Sequence, residues 1–470
     1  MTGDGMSALH IIGMLLAIAL IVGMAVYSGM RGKKSARGQG TGVVAGVIMG
    51  TLVGGSSTIG TAQLAYYYGM SAWWFTLGGG IACLILALVY TKSLRAAGSP
   101  TLVGMIRKEY GPAAGLTASI LSSVGTFINI ISQLLAASAV VILIWPEMPP
   151  FLAVLLSAAF MTLYVVFGGV KSAGAAGLIK LILLYASMLV CGKIALTLSG
   201  GLPALKETVR GFCEETGINY FSVFARGPVK DIGAALSLVF GVLTTQTYAQ
   251  GVLSGKSDRA ARNGALISAV MIPPIGIFGI LVGLYMRSVT DPAVFVAKTA
   301  LTRFVLEHLP PLFGGVVLGA LFIASVGTGA GLALGISTVL GHDIIGRYTH
   351  RFDGEKAGKL LQRTLIVVIL LLASLLSSGT LGDIILNFAF LSMGLRGAVI
   401  FAPLLGALWF KEKIPSAYAV ASIIAGPLVV IAGTLLNWSV DPLIIGIAAA
   451  LIIMAAGLAA GRKSSVARMN

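Results

Sequence analysis

Apolar runs of about 20 residues recur from one end of the chain to the other, and this repetition leaves few folds open. In hydrocarbon every backbone polar group must be paired, so runs of this kind cross a bilayer as helices. Thirteen are read, at roughly 8–28, 42–67, 71–94, 113–144, 151–168, 173–197, 231–252, 263–287, 311–341, 361–378, 383–410, 416–437 and 441–461. They take up nearly all of the 470 residues, 57% of which are hydrophobic and 10% charged. The fold class implied is an all-α polytopic membrane protein with no room for a soluble catalytic domain. The chain has no P-loop, dinucleotide fingerprint or His/Cys/Asp cluster. Neither an enzyme nor a cofactor or resident metal is expected.

The formal net charge of +16 would suggest nucleic acid in a soluble chain. Here the basic residues fall in alternate loops. They are Arg31, Lys33, Lys34 and Arg37; Lys92, Arg95, Arg107 and Lys108; and Lys256, Arg259 and Arg262. Arg347, Arg351, Lys356, Lys359 and Arg363 follow, then Lys411 and Lys413, then Arg462, Lys463 and Arg468. Basic loops stay in the cytoplasm. The N-terminus is therefore expected outside and the C-terminus inside, with the lipid bilayer and not nucleic acid as partner of the basic loops. The flank before the first run has no Lys or Arg, so that run reads as a retained helix and not a cleaved signal. Cys83, Cys191 and Cys213 show no pairing or metal-binding spacing.

Setting aside the first run and the last two leaves ten, five on either side of a loop. An odd number of crossings turns the second half over, as in the inverted repeats of secondary transporters. The segments are an extra helix and basic loop at 1–41, a first five-helix repeat at 42–197 and an extracellular loop at 198–230. A second five-helix repeat at 231–411 and two final helices with the tail at 412–470 complete the chain. The leading helix of each repeat is expected to be broken. MGTLVGGSSTIGTAQ, Met49 to Gln63, concentrates glycines and hydroxyls, and each glycine costs a helix roughly 1 kcal/mol against alanine. FGVLTTQTYAQ, Phe240 to Gln250, is dense in hydrogen-bonding side chains. Close helix packing through small residues is the other reading of both. One further feature stands out: Lys180 is the only charge between Ser172 and Val190. An ammonium at such depth calls for a partner or a task.

Several stretches carry a resemblance. GGSSTIGTAQLAYYYGMSAWWFTLG (54–78), FGGVK (167–171), SGKSDRAARNGAL (254–266) and LPPLFGGVVLGALFIASVGTGAGLALGISTVLGHDI (309–344) appear in order. Together they resemble the sodium/solute symporter family, which has the LeuT-type inverted-repeat fold. The resemblance implies a secondary transporter in the plasma (inner) membrane of a bacterium or archaeon, with a small-molecule substrate and a coupling ion. It also implies a sodium site between core helices one and eight, held by oxygens as a hard cation requires. On this chain the carbonyl positions fall on Gly50, Val53 and Ala324, and the two hydroxyl positions on Gly327 and Thr328. Gly327 has no hydroxyl. The aspartate the family often places on core helix five is also gone, the motif reading Ala175-Ala176-Gly177. One helical turn further on stands Lys180. The resemblance thus suggests a sodium site degraded in two places, with the Lys180 ammonium in the cation's position. A similar lysine occurs in some proton-dependent transporters of the wider fold, so H+ or no ion is read as the coupling partner, with conventional Na+ coupling the alternative. The other alternative for Lys180 is snorkelling to the cytoplasmic face, about 12 Å away.

By the same resemblance the substrate cavity is lined by Ser56, Ser57 and Gln63 on helix one, Asn129 and Gln133 on helix three, and Thr245, Gln246 and Tyr248 on helix six. Each has interhelical hydrogen bonding as its ordinary alternative. Arg396 is a second charge at mid-span, suited either to clamping a carboxylate or to satisfying carbonyls beside Gly394 and Gly397. With no acid at that depth, a small organic anion is the expected cargo. A channel or a transporter-like sensor is the reading of a different class. Trp73 and Trp74 are read as anchors at the outer interface.

Overall fold

Among the described residues the long apolar segments are helical, two of them interrupted by extended backbone. The computed structural model describes residues 6–31, 38–168, 173–345, 355–377, 379, 383–436 and 438–467. Lys33, Lys34, Arg37, Arg347, Arg351, Arg468 and residues 169–171 of the FGGVK stretch lie outside them. Ala175, Ala176 and Gly177 fall within a helix, but their surroundings also lie outside the described residues.

The chain begins with α1 (Ala8–Arg31). The first broken helix follows, as α2 (Thr41–Leu52), a π turn at Ser56–Gly60 and α3 (Thr61–Tyr68). A tight turn at Gly69–Trp73 leads into α4 (Trp74–Ile85), and another π turn into α5 (Thr91–Ala96). Next come α6 (Leu102–Ile144), α7 (Pro150–Gly168), α8 (Ala173–Leu198) and α9 (Gly201–Thr216). The second broken helix is α10 (Pro228–Thr244) with α11 (Gln246–Leu253), bent by 50°. It is followed by α12 (Asp258–Val289), α13 (Ala300–His308), α14 (Pro311–Thr338) and α15 (Glu355–Ser377). The chain closes with α16 (Ile385–Trp409), α17 (Ser416–Leu435) and α18 (Pro442–Ala467). Among the described residues, nine helical stretches are long and apolar enough to cross a membrane, or ten if the bent pair counts as one. Ala8–Gly23, Thr41–Leu52 and Pro150–Val165 are apolar but shorter.

One boundary departs from expectation. The run expected at 113–144 is the later part of α6, which starts at Leu102 and kinks at Gly111 (φ 89°) beside Pro112. The polar lead-in with Arg107, Lys108 and Glu109 hid this first section from an apolar count. Thr101 caps it, its hydroxyl accepting from Gly104 N at 2.9 Å.

Both broken helices open inside the expected stretches. Val53 (φ −83°, ψ 100°) ends α2 in extended backbone, and Thr245 (φ −90°, ψ 125°) interrupts the second. Local hydroxyls stabilise the first break. Ser57 Oγ accepts from Gly54 N at 2.9 Å and donates to Gly54 O at 3.0 Å, and Thr58 Oγ1 donates to the same carbonyl at 2.8 Å. Gly55 is required by close approach: a Cβ there would overlap Ser325 Oγ of α14 and lie 2.5 Å from the Ala136 methyl of α6. The break is thereby pressed between α6 and α14.

At the end carrying the basic loops, four segments are tied together. Gln39 N donates to Ser254 O at 2.7 Å, and Lys256 N donates to Gln39 O at 2.8 Å. Arg95, in α5, donates to Gly255 O at 2.7 Å and pairs with Asp258 at 2.6 Å. This strap joins the lead-in to α2, the end of α5, the exit of α11 and the start of α12. At the opposite end Asp231, fully buried, takes Arg226 at 2.7 Å and the Ser71 hydroxyl at 2.6 Å.

Candidate functional site

Lys180 leaves α8 into the bundle and is 8% exposed. Its Nζ donates to Gly50 O at 2.8 Å and lies 3.5 Å from Thr328 Oγ1, which itself donates to Ala324 O at 2.8 Å. The amine therefore does not snorkel. It sits beside the end of α2, facing α14. No hydrogen bond joins it to Val53 or Ala324. Across from it, Tyr164 of α7 stands 3.5 Å from where a Cβ on Gly327 would be. The space a hydroxyl-bearing side chain would take at Gly327 is thus edged by a phenol.

A second polar group joins the first break to α6 and α16. Ser56 Oγ and Ser132 Oγ are 2.7 Å apart, and Gln133 Nε2 donates to Ser56 Oγ at 2.8 Å. Gln133 Nε2 also lies 3.5 Å from Asn129 Oδ1. Ser132 donates to Ile385 O at 3.1 Å. Gln63 Oε1 accepts from Ile385 N at 2.9 Å, and its Nε2 donates to Asp383 O at 3.2 Å, so this side chain fastens α3 to the start of α16. Gln133 Oε1 is buried and has no partner among the described residues. An acceptor left so in low dielectric costs free energy until a donor reaches it.

Arg396, 3% exposed, forms the third group. Nη1 donates to Thr245 Oγ1 at 2.9 Å, Nη2 to Ser392 Oγ at 3.0 Å, and Nε to Ser392 O at 3.2 Å. Thr245 in turn donates to Gly241 O at 2.6 Å. The guanidinium thus braces the second break against α16. Among the described residues no carboxylate pairs with Arg396 or Lys180, so two cations stand in the core without a counter-charge.

The remaining candidates separate. Tyr248 is buried, at 1% exposure. Ser57 is committed to the break itself. Gln246 is turned away: its Oε1 accepts from Leu102 N at 2.8 Å and its Nε2 donates to Pro100 O at 3.1 Å, at the start of α6. A broken helix does not keep one face through the break, so spacing alone could not tell its side from that of Thr245. Trp73 and Trp74 bond inside the protein, to Pro273 O at 3.0 Å and Val223 O at 2.7 Å. Ser132, Tyr164 and Ser392 were not singled out in the sequence. Ser132 adjoins Gln133 and Ser392 precedes Arg396 by one turn, which were the available signals.

Two interrupted helices meeting buried polar groups between them, with a cation lodged at the first interruption, are the anatomy of a secondary symporter embedded in a membrane. The chain belongs to the sodium:solute symporter family, whose model matches residues 35–426. An uncharacterized symporter of Bacillus subtilis, YwcA, is 26% identical over 355 residues, covering 72% of this chain and 67% of that protein. The human high affinity choline transporter 1 is 24% identical over 470 residues, covering 91% of this chain and 77% of that one. A solved Na+-coupled sialic acid symporter, substrate-bound and outward-open, superposes with a TM-score of 0.75 at 16% identity, over 97% of this chain and 98% of that one. A nucleobase-cation-symport-1 family transporter in a closed conformation gives 0.57 at 13% identity, over 91% and 94%. The fold is therefore LeuT-type, and the protein is a transporter and not an enzyme.

Proposed function

We propose that this symporter moves a small organic solute by alternating access without a sodium ion at the first break, the Lys180 ammonium holding the cation's place. The observation that carries the reading is the 2.8 Å contact from Lys180 Nζ to Gly50 O, with Thr328 Oγ1 at 3.5 Å. An ammonium donates to the oxygens that would otherwise ligate a hard cation. Gly327 offers no hydroxyl, so the oxygen set is also short by one. Release and recapture of the Lys180 proton as the bundle opens and closes would couple transport to protons. The basic end of the bundle faces the cytoplasm of a cell whose plasma membrane holds the protein.

The cargo we favour is an organic anion. Two core cations lack a counter-charge, and choline, the cargo named for the human relative, is itself a cation that they would repel. Gln133 Oε1 supplies one acceptor for a donor on the solute. Conventional sodium coupling is the second reading. It is favoured by the family's name and by the surviving Gly50, Val53, Ala324 and Thr328 oxygens.

Thermal-shift measurements on purified protein separate the two. A bound ligand stabilises the state it binds, by about 2.7 kcal/mol at a hundred times its Kd. Equal melting temperatures in sodium, potassium and choline chloride, with a shift on adding acetate, pyruvate, lactate or succinate, support the proposal. A sodium-specific shift supports conventional coupling and refutes the substitution.

A further inference from the structure

At the end of the bundle opposite the basic loops, a cavity of about 360 Å3 opens between α10, α16 and the α17–α18 pair. That volume is in the range of small-ligand sites. Phe390, Leu395 and Leu443 make its apolar walls, and Lys230, Asp441 and Ser237 give it polar groups. None of these belongs to the groups around Lys180, Gln133 or Arg396.

The polar groups are incompletely matched. Lys230, in the first turn of α10, is exposed and has no ion-pair partner among the described residues. Asp441 precedes α18. Its Oδ1 accepts from Leu443 N at 2.9 Å, and its Oδ2 is pressed against the backbone of Gly233, where no Cβ would fit. Ser237 lines the cavity, and its hydroxyl is open to that space without a hydrogen bond among the described residues. Arg226 also lines the cavity, over the Phe390 ring at 5.2 Å; Asp231 stands 2.7 Å from it, while its buried Nη2 completes no hydrogen bond among the described residues, so it adds positive charge on the Lys230 side. What remains is one cation on α10, one carboxylate at the start of α18, an apolar wall and a hydroxyl open to the cavity. A simple anion would meet Asp441, and a simple cation would meet Lys230. A ligand carrying both charges satisfies both groups, and the hydroxyl offers it one further hydrogen bond.

We propose that this cavity binds a small zwitterion, its anionic end toward Lys230, its cationic end toward Asp441 and its body along Phe390. A free amino acid and a zwitterionic phospholipid headgroup share this chemistry, and the inference is independent of the ion or solute that Lys180 serves.

Modification of Ser237→Cys, with Cys83, Cys191 and Cys213 replaced by Ser, reads occupancy through the rate of reaction with a small methanethiosulfonate. L-leucine, L-phenylalanine and glycine betaine are the zwitterionic probes. Isovalerate and isoamylamine each carry one of the two charges. Where a zwitterion binds, the rate falls by 1 + [L]/Kd, roughly tenfold at ten times Kd. Asp441→Asn and Lys230→Gln should each remove that protection and leave the unprotected rate unchanged. Protection by phosphatidylethanolamine and not phosphatidylglycerol, in place of the free solutes, would identify the ligand as a headgroup and uphold the proposal. A reactive cysteine that no zwitterion protects, equal protection by isovalerate, or a cysteine that never reacts would each overturn it. Asn387→Cys, on the same cavity, serves if Ser237→Cys does not fold.

Discussion

The Lys180 amine and the Gly50 carbonyl, 130 residues apart in sequence, stand 2.8 Å from each other. Gly50 lies in the last turn of the helix that stops at Val53. The lysine therefore donates to backbone freed by the break and not to a side chain made for it. Removing it should disturb both the packing and the ion response.

Lys180→Gln keeps a donor but loses the charge. A hydrogen bond from a charged group is worth roughly 1.5–3 kcal/mol, so a clear drop in melting temperature is expected. Uptake into proteoliposomes should also stop responding to a proton gradient. Unaltered pH dependence would dissociate the lysine from coupling.

Restoring the missing hydroxyl is a stricter test. Lys180→Ala combined with Gly327→Ser vacates the amine's place and completes the oxygen set. Tyr164, 3.5 Å from the new Cβ, leaves it room. The double variant should gain sodium-specific stabilisation that neither the wild type nor Gly327→Ser alone shows. Equal melting curves in sodium and potassium would count against an ion position there.

The two interruptions were legible because the stretches came as a matched pair, one leading each repeat; either alone reads equally as close packing through small residues. Lys180 was legible because it stood alone. The direction of each polar side chain was not. Gln246 and Thr245 are adjacent, yet one fastens the start of α6 and the other holds Arg396. The backbone at Thr245 is extended, so helical periodicity carries no information across it. The strap at Gln39 was invisible for another reason: it consists of backbone bonds, which any sequence can make. Asp231 and Arg226 are close in sequence, but only the fold buries them with Ser71.

Asp231→Asn should be the most damaging change at the end opposite the basic loops. It leaves Arg226, with 8% side-chain exposure, without its counter-charge. Losing one partner of a buried pair costs roughly 3–5 kcal/mol. A chemical or thermal melt of purified protein reads this directly, and a change within about 1 kcal/mol would show the pair to be solvated.

The strap predicts an asymmetry. Asp258 is 57% exposed in its side chain, so Asp258→Asn should cost under about 1 kcal/mol. Arg95→Ala also strips the Gly255 carbonyl of its donor and should cost more. Hydrogen exchange of the 254–256 backbone should rise in Arg95→Ala and stay unchanged in Asp258→Asn. The reverse order would place the strap's strength in the ion pair.

Arg396 and Thr245 form a closed thermodynamic cycle. If the guanidinium acts by bracing the second break, Arg396→Gln and Thr245→Val lose overlapping free energy, and the double variant melts close to the worse single. Additive losses would mean that Arg396 works elsewhere, as a carboxylate clamp would require.

Either an ammonium or a sodium ion occupies the space between Gly50 and Thr328 in a sodium-containing buffer. An experimental density map at a resolution that distinguishes side chains from ions decides it. The prediction is continuous density from the Lys180 side chain to an amine beside Gly50 O, with no separate peak. An isolated peak ringed by the oxygens of Gly50, Val53, Ala324 and Thr328, with the lysine turned away, would contradict it.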